Sequence, residues 1–424
     1  MVLKSLGGAG PEAFCPTLGR LAELVVVHER SDLIVGVDAT RMEEVVAPYG
    51  VRIDAPTIDD VVPRAMDYAT DRRIDGVLTL SEPLLEAGAA IAAELGLRHH
   101  PPAAAQLMRD KLLQRQALAR AGVPSARFHK IAGDGDLATA VEAVGLPAVL
   151  KPLWGAASEL TFRIDTESEL RDGYEEGMGS FRQLGGMVEG HEPAFILEEL
   201  LIGENWHDDP RFGDYLSVEA LIADGEVITL CVTDRTPLEP PFRETGAILP
   251  SALPDERQAE CVEVARAAVE ALGATDGASH TELKLTSTGP RVIEVNGRLG
   301  GQMAHVFKPA TGVDIIEQVG RIALGMDPIR SYDFSRYAAL LVAAPPIDRG
   351  PIVGVEGFDT VRALPGLLEL DTPGGQEFHF DPRLGMAGAP AFATFVADTI
   401  EDMLDRREQF VDALRYEFAP SPAN

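Results

Sequence analysis

The stretch TELKLTSTGPRVIEVNGRLGG, residues 281–301, decides the fold. Two alternating runs flank a turn rich in Thr, Ser, Gly and Pro, which is the pattern of a β-hairpin. In the second run Ile293 and Val295 share one face, while Glu294, Asn296 and Arg298 share the other. If Thr286 to Pro290 form the turn, Leu285 faces Arg291 and Glu282 falls opposite Glu294. Directly facing side chains sit about 4.5–5.5 Å apart at Cβ, so two carboxylates there repel each other. A hard divalent cation between them would resolve the repulsion, and Asn296 adds an amide oxygen on the same face. The pattern equally allows a surface pair neutralised by Lys284. Arg298 would lie beside any anion that such an ion holds. Gly297, Gly300 and Gly301 would let backbone approach that anion closely.

Composition narrows the classes of function. The chain has 424 residues, is 46% hydrophobic and carries a formal net charge of -30. That length predicts more than one domain, with material for sizeable cores. An acidic surface repels phosphate backbones and anionic lipid, so no nucleic-acid or membrane partner is expected. An anionic substrate would therefore need a local positive pocket or a bound cation. Cys15, Cys231 and Cys261 lie far apart without metal or disulfide spacing, which fits a reducing cytosol. The N-terminal segment lacks the apolar core of a signal peptide, and no run is long enough to span a bilayer. A cytoplasmic protein is expected.

Residues 1 to about 100 alternate short strands (24–28, 33–37, 76–80) with helices such as 83–96, the signature of a small open parallel sheet. The run Gly7-Gly8-Ala9-Gly10 reads as a turn or a ligand contact, short of a dinucleotide fingerprint. LMRDKLLQRQALARAGVP predicts one helix ending at Gly122, with Lys111 near its start. AVLKPLWGAAS, 148–158, delivers Lys151 to the end of an apolar strand before a small-residue loop that includes Ser158. Such loops bring backbone N–H groups to phosphates. FILEELLIGE, 195–204, sets Glu198 and Glu199 beside Leu200 and Leu201 at a strand end. A carboxylate beside free backbone polar groups suits an adenine ring. DYLSVEALIADGEVITLCVTD is a hairpin turning at Ala223-Asp224-Gly225, and a helix is expected over 256–272. The chain is predicted to close with a helix from Ala391 to Arg415.

Taken in order, these stretches resemble the ATP-grasp superfamily from about Arg109 to Gly301, and in detail its L-amino-acid ligase branch. The closer likeness rests on the segments 214–251 and 279–285 and on the tail GPIVGVEGFDTVRALPGLLEL. The resemblance implies an α/β protein with an N-terminal open parallel-sheet domain (1–105), a central lid (106–200), a catalytic domain with an antiparallel sheet (201–330) and a C-terminal subdomain (331–424). It implies ATP and Mg²⁺, with Mn²⁺ able to substitute. Lys111, Lys151 and Ser158 would meet the phosphates. Glu198, Glu199, Leu200 and Leu201 would meet the adenine, and Glu282, Glu294 and Asn296 the metal. Arg298 would stabilise the transferred phosphoryl group, and Glu244 would hold a substrate ammonium group. His280 neighbours the metal strand and reads as structural or functional. The ribose partner falls to Glu204 or Asp214, because IGENWHDDPRFGDY interrupts the usual pattern. The implied reaction is ADP-forming amide synthesis from a carboxylate and an amine, of the kind used in dipeptide and secondary metabolism. A bicarbonate-using carboxylase and a non-catalytic nucleotide-binding module are the alternatives. Homodimers occur among such proteins.

Overall fold

The computed structural model describes the chain except residues 6, 31–38, 156–157, 159, 182–192, 348–351, 374–387 and 420–424. The expected strand 33–37 lies outside the described residues. Four strands, β1 (Val2–Lys4), β2 (Leu24–Glu29), β3 (Gly50–Ala55) and β4 (Leu78–Thr79), form a parallel sheet in the order β3-β2-β1-β4. Buried Val and Leu fill β1 and β2, as expected of a sheet covered on both faces.

A second sheet holds β5 (Phe128–Ile131), β6 (Ala148–Pro152), β7 (Phe162–Ile164) and β8 (Phe195–Glu199), antiparallel in the order β5-β8-β6-β7. Its own core includes Leu150, Phe195, Leu197 and Tyr174 from the helix Glu167–Phe181.

The largest sheet has eight strands. They are β9 (Tyr215–Ala223), β10 (Glu226–Arg235), β11 (Gly246–Leu249), β12 (Gly277–Thr286), β13 (Gly289–Asn296), β14 (Tyr337–Val342), β16 (Leu367–Asp371) and β17 (Phe392–Ala397). The order is β13-β12-β9-β10-β11-β14-β17-β16, so strands from both sides of residue 330 share one sheet. A short pair, β15 (Ile352–Glu356) with β18 (Arg415–Phe418), completes the tail. The hairpin of β9 and β10 turns at Asp224 and Gly225, which take φ of 51° and 80° as a two-residue hairpin turn requires.

Three expectations need correction. The predicted single helix ending at Gly122 is two, Pro102–Arg109 and Lys111–Ala121. Asp110 leaves the helical conformation and its carboxylate caps the second helix by accepting from the Leu113 N–H at 3.0 Å. The stretch from Ala391 is strand β17 before it is helix, which runs Ile400–Ala413. FATFVA holds two aromatic and two β-branched residues among its six, and pairing with β14 decides it.

The third correction concerns the decisive hairpin. Its turn is tighter than expected, pairing Thr286 with Gly289, Leu285 with Pro290 and Lys284 with Arg291. A β-bulge between Glu282 and Leu283 then leaves Ile293 as the extra residue, and Glu282 does face Glu294. The bulge also reassigns the faces. Val292 and Val295 enter the core with Leu283 and Leu285, while Ile293 turns to the same side as Glu294.

Candidate active site

The two antiparallel sheets, with the segments that follow β1 and β4, wall one cavity of about 620 Å³. Lys111, Lys151, Ser158, Glu198, Glu199, Leu200, Leu201, Glu244, Glu282, Glu294, Asn296 and Arg298 all line it. Glu204 does not. Its side chain is exposed, and its N–H is donated to the Leu285 carbonyl at 2.7 Å, which turns the insertion along β12. The rival Asp214 accepts from Lys284 at 2.6 Å and is likewise absent from the wall.

Lys111 opens its helix and is buried, not solvated. Its ammonium group lies 2.9 Å from Glu294 Oε1 and donates to the Gly155 carbonyl at 2.9 Å. It thereby joins the loop after β6 to β13. In that loop Gly155 has φ 142° and Ser158 φ 61°, backbone shapes an L side chain seldom takes.

One turn along the same helix, Arg115 donates from Nε and NH2 to both oxygens of Glu198 at 2.9 Å, and NH2 also reaches the Ile293 carbonyl. Lys151 completes the group, 2.9 Å from Glu198 Oε2. Burial opposes charge on Glu198, but Arg115 and Lys151 outweigh it and hold the carboxyl at about 2. Burial pushes the Lys151 ammonium down. Glu199 accepts from Arg127 N–H and from Arg291, and the Leu200 N–H goes to the Pro147 carbonyl at 3.3 Å.

The facing acids are not neutralised by Lys284, which is held by Asp214. Glu294 meets Lys111. Glu282 Oε1 lies 3.2 Å from His280 Nε2 and 3.9 Å from Arg235. His280 is buried, and its Nδ1 lies 2.7 Å from Glu219 Oε1. Burial disfavours the imidazolium, yet Glu219 and Glu282 push the His280 pKa up to about 9. Glu282 is held below the usual carboxylate range against burial, chiefly by His280. Among the described residues no group of three or more His, Cys, Asp or Glu is set to hold a metal. The oxygen set is two carboxylates and an amide on one sheet face, which suits Mg²⁺, an ion that completes its shell with water and substrate phosphates.

Arg298 is fixed by an ion pair from Nε to Glu82 Oε2 at 2.9 Å, which ties it to the N-terminal domain. Gly297 and Gly300 do not offer free backbone as expected. A Cβ at Gly297 would strike Met108 and Leu85, and one at Gly300 would strike Gln302 and Glu219. Gly301 alone of the three lines the cavity. Glu244 accepts from Arg235 at 2.6 Å. The wall also includes Leu238, Phe242, Leu340, Phe392 and Thr394, and Gly7 and Gly8 line the cavity as well.

Five buried residues escaped the sequence reading: Glu82, Arg115, Glu219, Arg235 and Gln302. Arg115 stands four residues after Lys111 and hence on the same helix face, a usable signal. Glu219 follows Ser217 by two in a strand buried along its whole length, so it shares a face with another polar residue.

Residues 144–306, which include Lys151, Glu198, Glu282 and Glu294, match the ATP-grasp domain family. The chain thus resembles proteins of the ATP-grasp superfamily. Its structure superposes on that of an L-amino acid ligase from Bacillus licheniformis with a TM-score of 0.76 at 22% identity, covering 99% of this chain and 98% of that one. In sequence it is 32% identical over 265 residues to alanine–anticapsin ligase of Bacillus subtilis (strain 168), covering 61% of this chain and 56% of that protein. It is 27% identical over 300 residues to mouse (Mus musculus) carnosine synthase 1, covering 68% of this chain and 34% of the synthase. The chain thus spans little more than half of the first of these relatives. Among the described residues no helix is long and apolar enough to cross a membrane.

Proposed function

We propose that the chain is an ADP-forming carboxylate–amine ligase that uses ATP and Mg²⁺, or Mn²⁺ in its place. The observation that carries this reading is the facing pair Glu282 and Glu294, with Lys111, Lys151 and Arg298 on the same cavity. Ligase names among the relatives support it.

In this reading the adenine lies against Ile293 and the hinge residues Glu198 to Leu201. Glu198 spends three of its four acceptor sites on Arg115 and Lys151, leaving one for an amino group. Lys111, Lys151 and the Ser158 loop receive the phosphates. Glu282, Glu294 and Asn296 would hold the metal, which would supply positive charge to neutralise the phosphates. Arg298, immobilised by Glu82, faces the transferred phosphoryl group. A substrate carboxylate oxygen attacks the γ-phosphorus, and the bond to ADP breaks. The amine nitrogen then attacks the acyl carbon; the C–O bond to phosphate breaks, a proton leaves nitrogen, and an amide remains. The chain contributes positioning and a water-poor cavity around the acyl phosphate. Glu244 takes a substrate ammonium group, and the apolar wall from Leu238 to Phe392 takes a side chain. A cytoplasmic homodimer is the setting this reading expects.

The test is phosphate release from ATP and Mg²⁺ with pairs of amino acids, followed by product mass. ADP, phosphate and an amide are expected. AMP as product rules the scheme out, and bicarbonate-dependent turnover without amino acids moves the chain to the carboxylases. Nucleotide binding without turnover on any acid leaves the non-catalytic module.

A further inference from the structure

Glu219 sits on β9, between β12 and β10, and its side chain is fully buried. A carboxylate in such a place is costly unless hydrogen-bonded, and a strand serving only the core would carry an apolar residue there. Its neighbours Val218, Ala220 and Leu221 are apolar. Three donors converge on its Oε1: Ser217 Oγ at 2.8 Å, His280 Nδ1 at 2.7 Å and Gln302 Nε2 at 3.0 Å. Its Oε2 makes no hydrogen bond to a described residue and lies 2.9 Å from where a Cβ on Gly300 would stand.

Two of those donors come from opposite sides of the site. His280 turns its other ring nitrogen to Glu282 Oε1, 3.2 Å away. Gln302 stands at the start of the helix Met303–Thr311, directly after the turn that carries Arg298 into the cavity. One buried oxygen thus anchors both the group beside a metal carboxylate and the end of the Arg298 turn. Gly300 fits this arrangement, because any side chain there would displace Gln302 or the carboxylate.

We infer that Glu219 is a positioning residue of this site. Through His280 it sets the orientation of Glu282, and through Gln302 it sets the turn that presents Arg298. The inference rests on the ligase reading for its kinetic consequence, but not for its consequence on metal binding. Partners of this kind behind metal ligands commonly change metal affinity or activity 10- to 100-fold when altered, a range of roughly that order being expected here.

The experiment compares wild type with Glu219→Gln, which keeps the shape and removes the charge, and Glu219→Asp, which keeps the charge and shortens the reach. Mn²⁺ affinity in the presence of ADP is measured by titration, with thermal unfolding alongside. In whichever assay the wild type turns over, kcat and the KM for ATP are measured separately. Glu219→Gln should lower Mn²⁺ affinity and kcat by roughly 10- to 100-fold, with the KM for ATP changed less than about threefold and the protein still folded. Glu219→Asp should recover part of the Mn²⁺ affinity. Unchanged Mn²⁺ affinity in a folded Glu219→Gln protein overturns the inference, as does a loss matched by the fraction unfolded. A wild type that binds Mn²⁺ and ADP but never turns over refutes the ligase reading alone, and the Mn²⁺ titration still decides the role of Glu219.

Discussion

Replacing Arg115 by methionine removes a buried cation while keeping most of the volume. The guanidinium is 2% exposed and supplies two of the three polar contacts on the Glu198 carboxylate. Hydrogen bonds to charged groups contribute about 1.5–3 kcal/mol each, so losing two should cost roughly 3–6 kcal/mol. A second route agrees. A fall of the Glu198 pKa from 4.5 to about 2 corresponds to roughly 3 kcal/mol. Breaking a buried ion pair from one side typically costs about 3–5 kcal/mol. With an unfolding entropy near 2.1 cal/mol/K per residue, a chain of 424 residues should lose roughly 3–5 °C in Tm. The sign with pH follows from the depressed carboxyl. Its stabilisation is complete above the ordinary value of 4.5 and disappears as pH falls towards 2 in the wild type. In Arg115→Met the loss is smaller and is complete at a higher pH, because Lys151 alone lowers the carboxyl pKa. ADP affinity should fall as well, since NH2 also ties the hinge group to the Ile293 carbonyl. Differential scanning calorimetry between pH 2.5 and 7 and an ADP titration measure both effects. A Tm within about 1 °C of wild type, with unchanged ADP affinity, refutes the reasoning.

Glu294→Gln should abolish ATP turnover and weaken Mn²⁺ binding in a titration, because it removes one of the two facing carboxylates. Asp110→Ala removes the cap of the helix that begins with Lys111; about 1 kcal/mol of stability and a few-fold in the KM for ATP are expected, read by denaturant unfolding and steady-state kinetics. Gly300→Ala should lower kcat with little change in ATP binding, since its Cβ would stand 2.8 Å from Gln302 Nε2 and 2.9 Å from Glu219 Oε2. Burial holds the His99 pKa down at about 3 and that of His28 at about 4, so the unfolded chain takes up protons first as pH falls below 6.5. Stability should therefore decline below pH 6.5 by up to about 1.4 kcal/mol per pH unit per histidine, and His99→Asn should flatten the decline in calorimetry.

The facing acids were legible because strand period and turn chemistry fix which residues share a face. The path to them was not. The turn is tighter than its composition suggests, and the bulge at Ile293 restores the pairing of Glu282 with Glu294. No residue in RVIEVN announces a bulge, and its cause is tertiary: Val292 donates to the Pro124 carbonyl and packs in the core with Val295. The same bulge brings Ile293 to the cavity, which strict alternation assigned to the core. Lys111 and Lys151 stood out by position in their motifs. Arg115 did not, since Arg120 in the same helix is exposed and looks alike in sequence. Glu204 and Asp214 misled because carboxylate spacing after the hinge says nothing about which way the insertion folds. His280 was left open, and its meaning depends on Glu219, a strand away in space and 61 positions away in sequence.

The charge of the cavity wall bears on how an anionic substrate could enter it. The acidic composition required either a positive pocket or a bound cation for an anionic substrate. Eight carboxylates and six Lys or Arg side chains line the cavity, so its wall is not net positive even with His280 counted as a cation. The cations are moreover engaged: Lys111 with Glu294, Lys151 and Arg115 with Glu198, Arg298 with Glu82, Arg235 with Glu244. A triphosphate entering alone would meet Glu282 and Glu294 at close range and find no unpaired lysine. A divalent ion held by Glu282, Glu294 and Asn296 would supply the missing positive charge and would free Lys111 from Glu294 for a phosphate oxygen. Because Lys111 also donates to the Gly155 carbonyl, its two contacts join β13 to the loop after β6.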